Sequence, residues 1–175
     1  TVGNENGFNA SGSNYVAWCL KAGGKDGVND FNIDGTGYAT ASAASLDGGT
    51  ISPTAASVNT KSGFSIIQYA GDSNSSATIS HGLSSAPTFV IVKSINNGTG
   101  WPTQAPGYFG FRLDDQSAGN SGNGNAFFAN TAPTSSLVTV GDSAEVNDGY
   151  NYIMYCFADV SGYQKAGTYT GTGVD

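Results

Sequence analysis

The chain has 175 residues, a mass of 17.7 kDa and a formal net charge of −7, which leaves room for one good-sized domain or two small ones. That charge argues against wrapping nucleic acid or resting on an anionic membrane, since both would repel it, and no apolar run is long enough for a membrane span. Charged residues are scarce at 11%, yet 38% hydrophobic residues, with nine Tyr, nine Phe and two Trp, are enough for a core and exclude wholesale disorder.

The first apolar run, "YVAWCL", belongs to a segment that returns near the other end of the chain. "TVGNENGFNASGSNYVAWC" (Thr1 to Cys19) lines up with "TVGDSAEVNDGYNYIMYC" (Thr139 to Cys156), with one residue gained or lost in the polar middle. The recurring aromatics Tyr15, Trp18, Tyr152, Tyr155 and Phe157 are expected to pack in a core or between modules. The two cysteines occupy equivalent places, so we read them as buried free thiols.

Residues 23–62 break the rhythm. They are polar and glycine-rich, with Ile33, Tyr38, Leu46, Ile51 and Val58 spread thinly, which suggests a connector lying along a surface. Inside it, Asp30, Asn32, Asp34 and Gly35 have the D-x-N-x-D-G spacing that opens a calcium loop. The twelfth position, where a bidentate carboxylate should close the cage, is Ala41, and the same pattern describes a solvated Asx-rich turn, the reading we favour.

Short apolar runs follow in chain order: "GFSIIQY", "ATISHGL", "TFVIVKS", "GYFGFRL", "NAFFA", "SLVTV" and "YIMYCFA". All are rich in β-branched and aromatic residues and bounded by Gly, Asn, Pro and Ser, the composition of strands and turns. In "FSIIQY", Phe64, Ile66 and Gln68 share one face, and Ser65, Ile67 and Tyr69 the other. "TFVIVKS" is nearly continuous, as for a strand covered on both sides. No window has helical periodicity. The expected fold is all-β, an antiparallel β-sandwich or jelly-roll-like module with one long irregular connector.

Between these runs, His81 is the lone histidine and is expected to fix the turn before Gly82. Asp114 and Asp115 point to opposite faces of a strand, a poor acid–base pair, and Arg112 is placed to pair with Asp114. Trp101, Tyr108 and Asn97 sit in a loop-rich stretch, where rings and amides of this kind hold glycans; the alternative is ordinary strand and loop packing. Asp114 to Asn125 reads as a loop tip. "TYTGTG" (Thr168 to Gly173) resembles the "IQYAGDS" that follows the connector.

"YVAWCLKAGG", then "NTKSGFSIIQYAGDSNSSATISHGLSSAPTFVIVKS", then "NTAPTSSLVTVGDSAEVN" and "YIMYCFADVSGYQKAGTYTGTG" together resemble a repeat of tailed-bacteriophage virion proteins. Such repeats are common in marine and cyanobacterial phages, in tail fibres and other appendages. The resemblance covers roughly residues 1–22 and 60–173. It departs from the pattern at Gly24 to about Leu46 and at "WPTQAPGYFGFRLDDQSAGNSGNGN", where receptor specificity would reside. It implies no catalytic residues.

These readings divide the chain into the final strands of a preceding repeat (1–22), a connector (23–62), a complete sandwich module (63–160) and the start of a following repeat (161–175), a slice of a longer polypeptide or a processed product. The expected function is a non-enzymatic structural module of a phage appendage at the virion surface, outside the cell. It would self-associate as a trimer or stacked array, contact other virion proteins and contribute to host attachment. No cofactor is expected, with calcium as the only candidate. A carbohydrate-binding module at a fibre tip, touching a host surface glycan, is one alternative; a capsid decoration protein or extracellular fibre subunit is the other.

Overall fold

The computed structural model describes residues 10–17, 19–24, 27–106, 109–114 and 126–173. Ten strands are present among the described residues: β1 (Phe31–Ile33), β2 (Thr36–Tyr38), β3 (Ala55–Asn59), β4 (Phe64–Ala70), β5 (Ala77–Ser80), β6 (Phe89–Ser94), β7 (Pro102–Ala105), β8 (Phe109–Arg112), β9 (Leu137–Val140) and β10 (Asn151–Phe157). Eight form one sheet in the order β2-β1-β3-β4-β10-β6-β7-β8, and β5 pairs with β9 in a second. Pairing is antiparallel except between β1 and β3. The fold is all-β and sandwich-like, as its strand composition predicts.

Alternation decides which face each strand buries. Ala56 and Val58 of β3, Ile67 and Tyr69 of β4, Val90 and Val92 of β6, and Tyr152, Met154 and Cys156 of β10 point inward. Ala77, Ile79, Val138 and Val140 of the small sheet meet them in one continuous core. At its centre the Tyr69 and Tyr152 rings stack, with centroids 5.3 Å apart.

Two expectations are corrected here. The stretch 23–62 is not merely a surface connector: it supplies β1, β2 and β3, and Phe31, Ala44, Leu46, Ile51, Ala56 and Val58 are all core residues. Its apolar groups are few and widely spaced, but long-range pairing gathers them under the small sheet, where Ile51 also bridges Ile79. "NAFFA" is not a strand. Residues 126–128 form a helical turn ended by positive φ at Ala129 and Asn130. A strand would send Phe127 and Phe128 to opposite faces; the turn buries both in the same core.

Candidate functional site

The outer face of the large sheet carries a block of apolar side chains on its central strands β4, β10 and β6. In one row of opposed residues, Ile66 of β4, Tyr155 of β10 and Ile91 of β6 lie side by side. The next row sets Phe64, Phe157 and Phe89 together, with ring centroids 4.8 and 5.9 Å apart. Ile153 continues the face between Gln68 and Lys93. Apart from Phe64, which is buried, these apolar residues are half-buried, and no strand among the described residues lies over them. The outward face of an antiparallel sheet is ordinarily polar. Burial raises the pKa of the Tyr155 hydroxyl, as expected of a phenol half sunk among apolar side chains. A cleft of about 440 Å³ opens on this face, lined by Ala55, Ser57, Ile66, Gln68, Ile153 and residues near Asn32.

The two tyrosines of the inner face organise the loop beyond β9. Tyr69 donates to the Val146 carbonyl at 2.6 Å; Tyr152 donates to the Ala144 carbonyl and accepts from the Asp148 N–H, each at 2.9 Å. Buried Asn147 adds a polar knot: it accepts from the Asp72 N–H and donates to the Asp72 carboxylate and the Asn74 carbonyl. Slight burial pulls Asp72 upward, but the bonds from Asn74 and Asn147 outweigh it and lower its pKa. Gly71 lies tight against this loop; a Cβ there would stand 2.0 Å from the Asp148 oxygen.

The calcium-loop candidates Asp30, Asn32 and Asp34 lie along the β1–β2 hairpin and the residue before it. Asp34 and Gly35 are the central residues of the β1–β2 hairpin, both with positive φ, and Asn32 Oδ1 accepts from the Gly35 N–H at 2.9 Å. The Asp34 carboxylate accepts from the Thr60 N–H at 2.8 Å and the Thr60 hydroxyl at 2.5 Å, locking the hairpin to the β3–β4 turn. Among the described residues no group of three or more His, Cys, Asp or Glu is placed to hold a metal.

The other candidate positions are dispersed. Trp101 is 38% exposed, with Lys93 Nζ 5.6 Å from its ring centroid. Asn97 is half-buried in the β6–β7 loop, and Tyr108 and Asp115 lie outside the described residues. Arg112, expected to pair with Asp114, has Glu145 as a partner. It forks onto Glu145, with Nε 2.7 Å from Oε2, and lies over the Phe127 ring, while Asp114 accepts from the Trp101 N–H. His81 does fix its turn: Nδ1 accepts from the Leu83 N–H at 3.1 Å and Nε2 faces the Thr134 carbonyl at 3.2 Å. Burial lowers its pKa, partly opposed by that carbonyl.

The two echoes have unlike surroundings, which corrects the expectation of equivalent packing. Tyr152 and Cys156 are fully buried, whereas Tyr15 is 46% exposed, Cys19 is exposed, and the described residues around them are not in a strand. Trp18 lies outside the described residues. Sequence reading also missed Ile66, Ile91, Phe89 and Phe157 as a shared surface. Their signal was present, because β6 and β10 are apolar at both parities of their alternation.

A family model described as a domain of unknown function, DUF7483, matches residues 1–175. The chain belongs to that family. No curated protein and no solved structure matches it.

Proposed function

We propose that this DUF7483 domain is a non-enzymatic structural module of a tailed-phage appendage, packed through its large sheet against like units at the virion surface. The observation that carries the reading is the outer face built from Ile66, Phe89, Ile91, Ile153, Tyr155 and Phe157. Each half-exposed side chain of this size gains roughly 1 kcal/mol from full cover, so the face favours a partner of the same flat, apolar kind. Three polar groups serve the fold: His81 holds a turn, Asp34 locks a hairpin, and Asp72 with Asn147 ties a loop. The phage assignment is supported by the ordered set of sequence fragments resembling virion repeats. Its test is antibody labelling of purified phage particles by electron microscopy, with the protein expected on a tail appendage. Labelling of the head alone would favour capsid decoration, and absence from particles would overturn the assignment.

A second reading, glycan binding at the fibre tip, rests on the Trp101 ring, 38% exposed in the same β6–β7 loop as Asn97. Binding on a glycan array that is lost in Trp101→Ala would establish it; an array with no ligand would leave the scaffold reading alone.

A further inference from the structure

The N-terminal segment Asn14–Leu20 repeats the sequence of β10, position for position: Tyr15 for Tyr152, Val16 for Ile153, Cys19 for Cys156, Leu20 for Phe157. The C-terminal segment Thr168–Gly171 resembles Gln68–Gly71 at the end of β4, with Tyr169 in the place of Tyr69 and Gly171 in that of Gly71. In the sandwich, β4 and β10 are antiparallel neighbours, with Tyr152 opposite Tyr69 and Ile153 opposite Gln68. The chain thus displays, at its two ends, the two halves of its own central strand pair. Neither half is in a strand among the described residues, and Val16 (82% exposed), Leu20 (51%) and Tyr169 (95%) stand in water. The slot these sequences fit is already filled by β10 itself, flanked by β4 and β6.

The roots of the two segments sit side by side. The Lys21 carbonyl accepts from the Ser62 hydroxyl at 3.1 Å, and Gln164 Nε2 donates to the carbonyl of the next residue, Gly63, at 3.0 Å. The Gly24 carbonyl accepts from Ser57, and Gly23 lies so close to Val58 that a Cβ would stand 2.1 Å from its oxygen. Both ends therefore leave one fixed point at the β3–β4 turn, one running toward it and the other away. An isolated two-stranded ribbon is marginal in water, whereas four strands sharing an apolar face are not. Exchange of identical elements between copies is a low-cost route to a closed dimer.

We propose that a second copy of this chain is the partner of these ends: the N-terminal segment of each copy pairs antiparallel with the C-terminal segment of the other, in the β10–β4 register. That register sets Tyr15 opposite Tyr169 and Val16 opposite Thr168. The inference rests on the assembly reading above, and names the segments that make one joint of it.

The test uses the full chain in a Cys19→Ser background. One preparation carries Val16→Cys and a second Thr168→Cys; both positions are exposed, and circular dichroism confirms that each folds. After mixing and mild oxidation, a disulfide-linked dimer containing one of each is expected, and far less when Thr170→Cys replaces Thr168→Cys. A chain carrying both Val16→Cys and Thr168→Cys should give covalent dimers. A fast-migrating monomer closed on itself would overturn the inference in favour of pairing within one chain. Association seen by sedimentation without the cross-link would overturn the inference and leave the assembly reading standing. A monomer under all conditions would overturn both.

Discussion

Replacing Tyr152 with Phe isolates what the tyrosine pair contributes to the fold. The ring remains stacked on Tyr69, so apolar burial is unchanged, but the hydroxyl that donates to Ala144 and accepts from Asp148 is removed. Two hydrogen bonds of about 1 kcal/mol net each are lost, with up to about 1 kcal/mol more because the Asp148 N–H loses its acceptor in a half-buried site. The expected loss is about 2–3 kcal/mol, equivalent to a Tm fall of roughly 4–12 °C for a domain of this size. Urea unfolding followed by far-ultraviolet circular dichroism measures it, with an unchanged m value showing that the denatured state is unaffected. Tyr69→Phe removes one bond to Val146 and is expected to cost about 1–2 kcal/mol. Because both hydroxyls hold the same loop, residues 144–148, the double variant should lose less than the sum. A loss below about 0.5 kcal/mol for Tyr152→Phe, or strict additivity of the two, would refute the view that these tyrosines jointly anchor that loop.

Three further outcomes are expected. His81 is buried and neutral, with its pKa lowered from 6.5, so the unfolded chain binds its proton more readily; stability should be fully present above pH 6.5 and fall as the pH drops through the folded value. Chemical denaturation across that range tests it, and His81→Gln should flatten the slope. Cys156, with its thiol pushed up to about 12 by burial, should resist alkylation in the native state while exposed Cys19 reacts, the second thiol appearing only in denaturant. Asp34→Ala removes both bonds to Thr60 and is expected to cost about 1–2 kcal/mol, whereas calcium or a chelator should leave Tm unchanged; a calcium-dependent rise would restore the metal reading.

Much of the sheet was legible in the sequence, because Val, Ile, Phe and Tyr at alternate positions mark β4, β6, β9 and β10 directly. The region before β4 was opaque for a physical reason: several buried positions are small or polar, such as Asn32, Ala44 and Ala56, and its larger ones, Phe31, Leu46, Ile51 and Val58, are widely spaced and become core only through pairing with distant strands. The Asp72–Asn147 tie spans 75 residues and carries no local pattern. The turn at Phe127 and Phe128 was misread because two adjacent aromatics satisfy a strand as readily as a helical turn. Of the candidate site, Tyr155 was identified as a packing residue, but its neighbours across the sheet depend on register, which composition does not specify.

Sedimentation velocity of the full chain beside an Ile91→Glu variant bears most directly on whether the outer sheet face is a packing surface. Ile91 sits mid-face opposite Tyr155, so a carboxylate there would have to be desolvated on association while costing the free monomer little. The native chain should shift to larger species from micromolar to hundreds of micromolar concentration, and Ile91→Glu should sediment no larger than the dimer its terminal segments form. A native chain that stays monomeric throughout, or an Ile91→Glu variant that assembles equally well, would contradict the account.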